Sequence, residues 1–215
     1  MGNLMPLEAF SFDESDQKTI RSTVDECENT GDDPWDHNNF KPIRSRAKKY
    51  YVKGQRYRCC YCEQKSPTSN GNSWALDHIV SRNEKREFSF LPENWAISCS
   101  DCNIHKSDKR VLMNSSVKNY PKDSSRFKII HPRYDDFSEH IMRRNFIYVP
   151  KSEKGKFTII ACNLLRYAAD HIEWPLSVAD ERYENEVNMI LIGDAGAAAL
   201  KDQILRDLIH GSSGS

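Results

Sequence analysis

The chain has no run of about 18 consecutive apolar residues, which excludes a helical membrane span. Its first residues, Met1-Gly2-Asn3-Leu4-Met5-Pro6, lack the basic and then apolar pattern of a secretory signal. A reducing, cytoplasmic setting is therefore expected. Net charge is absent too: 31 basic side chains balance 31 acidic ones, so whole-chain basicity offers no argument for nucleic acid. There is no Gly-rich phosphate loop, so any dependence on nucleotide hydrolysis must come from a partner. Internal repeats and low-complexity tracts are missing as well. Hydrophobic residues make up only 38% of the chain, which supports a modest core that a metal staple would help.

Seven cysteines are present, and in a reducing compartment they read as metal ligands or buried thiols rather than disulfides. Four form two CxxC pairs, Cys59 with Cys62 and Cys99 with Cys102. Two such knuckles can close a tetrahedral four-cysteine zinc site that ties distant segments together. The rival reading, a dithiol redox centre, needs one pair beside a βαβ pattern, and none is present. Cys60 inside the first pair offers another register with Cys62, but its spacing is not CxxC. Cys27, Cys60 and Cys162 default to small buried hydrophobes.

Between the pairs lie Asp77-His78-Ile79 and, further on, Asn94; Asn103 directly follows the last cysteine. Oxygen donors suit a hydrated Mg2+ or Mn2+ rather than zinc, and a neutral histidine suits a general base. A lone strand histidine is more often structural, but here an adjacent acid and two asparagines accompany it. Asp77 and His78 leave opposite faces of a strand unless it twists. Asn94 begins the return strand, where its amide can bond backbone across the loop and hold the His78 strand in register. Lys106, one turn after Asn103, is placed to meet a phosphate.

Charge is unevenly distributed. Residues 41–58 hold Lys41, Arg44, Arg46, Lys48, Lys49, Lys53, Arg56 and Arg58 without an acid, whereas the first forty residues lean acidic. Such asymmetry points to a nucleic-acid face, with Lys48, Lys49, Arg56 and Arg58 as phosphate contacts, and a differently charged partner face. Solvated helix faces are the plainer reading. Tyr50, Tyr51 and Tyr57 could stack on bases or pack against the zinc site.

Helices are expected over 13–29, capped by Asp13 and closed at Gly31, and over 40–53, ending at Gly54. Trp74–Val80 and Asn94–Ser98 read as strands, followed by a short helix from Asp101 or Asn103 to Val111. Residues 145–149 and 156–160 read as a hairpin, 161–171 as a helix, and 178–192 and 194–210 as further helices. The expected organisation is an N-terminal helical segment (1–56), a zinc-knuckle core (57–113), a mixed C-terminal region for partner docking (114–210), and a linker-like tail (211–215).

The run from the first knuckle to Lys106 resembles HNH endonucleases of the ββα-metal class, in their zinc-stapled form. The family pattern Asp-His-Ile is matched by Asp77-His78-Ile79, its middle Asn by Asn94, and its third position by Asn103 within Cys-Asn-x-x-Lys. The match covers about residues 57–111. It implies an α+β fold: a ββα-metal core with a four-cysteine zinc site, flanked by mainly helical N- and C-terminal segments. The resemblance further implies that His78 is the general base and that Asp77 and Asn103 ligate one Mg2+ or Mn2+. Asn94 would be a positioning residue. His105 is a rival for the third position, two residues late. A weaker resemblance links Cys62-Glu63-Gln64 and residues 131–141 to the HNH nuclease subunits of Septu-type anti-phage systems. It implies DNA as substrate and an ABC-type ATPase as partner in a hetero-oligomer. In that segment Asp135, Asp136, Glu139 and His140 also fit a capped helix start. The competing function is a non-catalytic zinc module that binds nucleic acid.

Overall fold

The computed structural model describes residues 8–66, 73–144 and 146–171. The chain divides into two compact units, residues 1–166 and 167–215. The expected helices over 178–192 and 194–210 lie outside the described residues.

α1 (Glu14–Thr30) opens on a reciprocal capping box between Asp13 and Asp16. It closes where Gly31 takes the left-handed conformation (φ 79°) and donates its N–H to the Cys27 carbonyl at 2.8 Å. α2 (Lys41–Gly54) has a proline in its first turn and buries Ile43, Ala47 and Tyr51, a stripe at four-residue spacing. The carboxylate of Asp16, buried on α1, pairs with Arg46 of α2. Asp36 holds Arg44 at 3.3 Å. The acidic and basic blocks of the sequence therefore meet each other in part, rather than forming two separate faces.

β1 (Trp74–His78) and β2 (Trp95–Cys99) pair antiparallel, with Trp74 opposite Cys99 and His78 opposite Trp95. α3 (Ser100–Lys106) follows without a gap, and the Cys99 sulfur accepts from the Cys102 N–H at 3.5 Å. This is the ββα unit. α3 is shorter than expected because Ser107 enters the positive-φ region (φ 46°) and stops it. The outer edge of β2 is covered by side chain and loop. Gln55, 3% exposed, exchanges two hydrogen bonds with Ile97, each 2.7 Å, and Cys60 N–H adds a third bond to the Ile97 carbonyl at 3.0 Å. The first knuckle is thus sewn onto the strand edge.

The C-terminal hairpin differs from expectation. It pairs β3 (Ile141–Arg144) with β4 (Ile147–Pro150), and residues 156–160 lie in α5 (Glu153–Ala161) instead of a strand. Ser152 explains the difference: its hydroxyl caps α5 by accepting from Gly155 N–H at 3.1 Å. Burial of Ile159 and Thr158 then overrides the β propensity of these branched residues. α4 (Phe137–His140) is a single turn capped by Asp136. α6 (Arg166–His171) begins after Asn163 has broken the helix at φ 48°.

Gly155 is set by close approach. A Cβ there would lie 1.9 Å from the His140 carbonyl oxygen. Backbone cannot swing aside as a side chain can, so Gly155→Ala should destabilise by about 3 kcal/mol or more. A urea melt that leaves the midpoint unchanged would contradict this packing.

His131 anchors the 131–140 segment. It is fully buried, stacked on Tyr134 with ring centroids 4.2 Å apart. Its Nδ1 accepts from Arg133 N–H at 3.2 Å, so Nε2 carries the proton and donates to Tyr120 at 2.8 Å. Burial pushes its pKa down to about 3. Between that value and about 6.5, the unfolded chain binds the extra proton and the native state does not. Stability is therefore complete above about pH 6.5 and lost as pH falls toward 3. At pH 4.5 the loss is about 3 kcal/mol. His131→Asn should weaken the protein at pH 7 but flatten its pH dependence by that amount in paired urea melts; equal slopes would refute the assignment.

Candidate active site and metal centre

The sulfurs of Cys59, Cys62, Cys99 and Cys102 all lie within 4.8 Å of one another, and Cys62 is 4.0 Å from Cys99. A tetrahedral zinc with Zn–S near 2.3 Å would space them by about 3.8 Å, so the four fit that ion. Cys60 takes no part in the cluster and packs in the core. Arg166 donates to the Cys102 sulfur at 3.3 Å, and Tyr61 N–H donates to that of Cys59 at 3.5 Å. Such donors offset the negative charge of a thiolate set.

A cleft of about 410 Å3 opens beside this clamp, bordered by Asp77, His78, Asn103, Trp35, Arg82 and Asp108 among others. His78 ends β1 and is 7% exposed. Its Nε2 lies 2.9 Å from the Ser89 carbonyl. A carbonyl only accepts, so Nε2 carries the hydrogen and the lone pair belongs to Nδ1. Ser89 is held in place because the same carbonyl accepts from the Trp95 indole at 2.9 Å. Trp35 lies against the imidazole, with centroids 4.2 Å apart. Burial pushes the pKa of His78 down to about 3, against the opposing pull of the Ser89 bond. The ring is neutral at neutral pH, the form a general base requires.

Asn94 is fully buried, and its amide spans the loop as expected of it. The oxygen accepts from Val80 N–H at 2.8 Å, while the nitrogen donates to the carbonyls of Val80 at 2.9 Å and Phe88 at 3.1 Å. These bonds tie the end of β1 to the turn that supplies Ser89. Asp77, 8% exposed, accepts from the Tyr61 hydroxyl at 2.6 Å. Burial and the Asp77 charge push the Tyr61 phenol well up, so it remains a donor. Asn103 sits half-buried on α3 at the cleft wall.

Lys106 requires a correction. It is completely buried, with its ammonium 2.7 Å from the His78 carbonyl and 3.2 Å from each Asp77 carboxylate oxygen. A phosphate cannot reach it. His105 is not among the residues bordering the cleft, and neither are Lys48, Lys49, Arg56 and Arg58. Arg58 instead donates to the Glu63 carbonyl at 3.0 Å inside the first knuckle. Tyr51 packs and does not stack: it is fully buried and donates to the Pro92 carbonyl at 2.8 Å, with its pKa pushed up to about 12 by burial.

The cation that does border the cleft is Arg82, which sequence reasoning missed. Its guanidinium is held by Asp33 at 2.6 Å and Asp36 at 3.2 Å. It lies in a loop without periodicity, so only its position four residues past His78 could have drawn notice.

The antiparallel pair, the short helix that follows it and the four-cysteine cluster have the arrangement expected of a zinc-stapled ββα unit. Residues 59–109 match the family model described as HNH endonuclease, which takes in both CxxC pairs, Asp77, His78, Asn94 and Asn103. A search of curated proteins gave no match. Among the described residues, no helix is long and apolar enough to cross a membrane.

Proposed function

We propose that this chain is an endonuclease that hydrolyses DNA phosphodiester bonds with His78 as general base. The observation that carries the reading is the Nδ1 lone pair of a neutral histidine, without a hydrogen-bond partner among the described residues, in a cleft that Asp77 and Asn103 also border. Nδ1 would take a proton from the water that attacks phosphorus, and the P–O3′ bond would break. Asp77 and Asn103 would hold one divalent ion, Mg2+ or Mn2+, since both offer oxygen donors. Such an ion supplies charge stabilisation for the non-bridging and leaving oxygens. Asn94 sets the position of the base through the backbone it binds. Arg82 would meet a phosphate at the cleft, and Lys48, Lys49, Arg56 and Arg58 would contact the strand beyond it.

The wider role we infer is the effector nuclease of a cytoplasmic anti-phage system, acting with an ABC-type ATPase. Its support is the resemblance of residues 131–141 and of Cys62-Glu63-Gln64 to such nuclease subunits. The domain boundaries we propose remain 1–56, 57–113 and 114–210, with the C-terminal region as the docking part.

Plasmid nicking tests the nuclease reading. Zinc-loaded protein, alone and with a co-expressed ABC-type ATPase, is incubated with supercoiled DNA and Mg2+ or Mn2+. Open-circle product that vanishes when the divalent ion is omitted is expected. DNA binding without cleavage under every ion and partner would leave a zinc-containing binding module.

A further inference from the structure

We propose that Tyr61 and Lys106 are positioning residues that fix the Asp77 carboxylate for its divalent ion, joining the zinc clamp and the nuclease centre into one hydrogen-bonded unit. The proposal rests on the reading of Asp77 as a metal ligand. Each zinc-binding segment sends one donor to that carboxylate. Tyr61 stands between Cys59 and Cys62, and its hydroxyl is 2.6 Å from Asp77 Oδ2. Lys106 stands one helical turn after Cys102, on the same face of α3, with its ammonium 3.2 Å from both Asp77 oxygens. Both side chains are completely buried, and the ammonium lies over the tyrosine ring at 5.9 Å.

A buried ammonium is costly, and an apolar side chain would fill the same space without that cost. What Lys106 adds is a fixed charge and a fixed direction. It also grips the His78 carbonyl at 2.7 Å, so one side chain orients both the proposed ligand and the backbone of the proposed base. A carboxylate has about four lone-pair sites, and two donors leave capacity for an ion. Carboxylates that ligate metals are themselves hydrogen-bonded in this manner, and loss of the outer partner typically lowers metal affinity or activity by about 10- to 100-fold. Because Tyr61 and Lys106 ride on the two knuckles, closing the zinc site is what brings both donors onto Asp77.

The test is direct Mn2+ binding to the full zinc-loaded chain, followed by electron paramagnetic resonance of the free ion, alongside the Mn2+ concentration for half-maximal cleavage. Tyr61→Phe keeps the ring and deletes only the hydroxyl. It should weaken Mn2+ binding by about tenfold or more, with zinc content and metal-free DNA binding unchanged. Lys106→Met should weaken it at least as much. Unchanged Mn2+ affinity in folded Tyr61→Phe would overturn the proposal, even if Lys106→Met fails to fold. Asp77→Ala separates the two levels: it should abolish Mn2+ binding. If Asp77→Ala binds Mn2+ like the wild type, the assignment of the ligand fails. If it loses binding while Tyr61→Phe does not, only the positioning role fails.

Discussion

His78→Ala should lower DNA cleavage by about 10²- to 10⁴-fold while leaving metal-free DNA binding in place, the range expected for loss of a positioned general base. That loss corresponds to about 3–5 kcal/mol of transition-state stabilisation. The ring also packs against Trp35, so zinc content and circular dichroism must show that the variant is folded before the rates are compared. Full activity in a folded His78→Ala protein would remove His78 as the base. The pH profile gives a second, independent reading. A histidine with an ordinary pKa near 6.5 would switch off as pH drops through that value. Burial places His78 near 3 instead. The sign follows from the neutral form being the active one: protonation abolishes base function, and that protonation is displaced to acid. At saturating divalent ion, kcat/KM should therefore show no fall near pH 6.5, because this parameter reports the free enzyme. A step at pH 6.5 that disappears in His78→Ala would show that the imidazole is far more exposed than the Trp35 contact and the Ser89 bond imply.

Zinc removal should unfold the HNH domain outright. Structural zinc contributes on the order of 10–16 kcal/mol, and whole domains are stable by about 5–15 kcal/mol, so the ion outweighs the margin. The first knuckle also contains Arg56, Tyr57 and Glu63 at positive φ, between 51° and 59°. Each non-glycine residue held there costs roughly 1–2 kcal/mol, which relaxes once the sulfurs part. Chelation with a thiol-competitive agent, or Cys102→Ser, should therefore give a red shift in tryptophan emission as Trp95 becomes exposed, together with rapid proteolysis of residues 57–113. The divalent ion of the cleft should behave differently: its removal should stop cleavage and leave the emission unchanged, since oxygen donors hold it without closing the fold. Native emission after complete zinc loss would show that the packing of α2 and the C-terminal region suffices without the clamp.

Local patterns in the sequence carried the helices and strands well where caps and alternation were strong. Asp13 and Gly31 bounded α1, and the pleat of Trp74–His78 against Trp95–Cys99 followed the expected strands. Residues 156–160 went the other way. Their branched side chains favour a strand in isolation, whereas the Ser152 cap and the Gly155 contact with α4 belong to the folded state. Charge was the least legible property. Arg46 and Arg44 were counted toward a nucleic-acid face, yet each meets an acid from the N-terminal segment.

The sequence by itself determined the four-cysteine cluster and the order Asp77, His78, Asn94, Asn103, because CxxC spacing and contiguous motifs are short-range facts of the chain. Tertiary structure alone decided what those residues face. The Nδ1 lone pair of His78 exists because Ser89 reaches Nε2, and the low pKa exists because Trp35 comes from another segment to cover the ring. Lys106 became an internal strut rather than a phosphate ligand for the same reason: burial and long-range partners are set by where segments meet, and spacing does not record them.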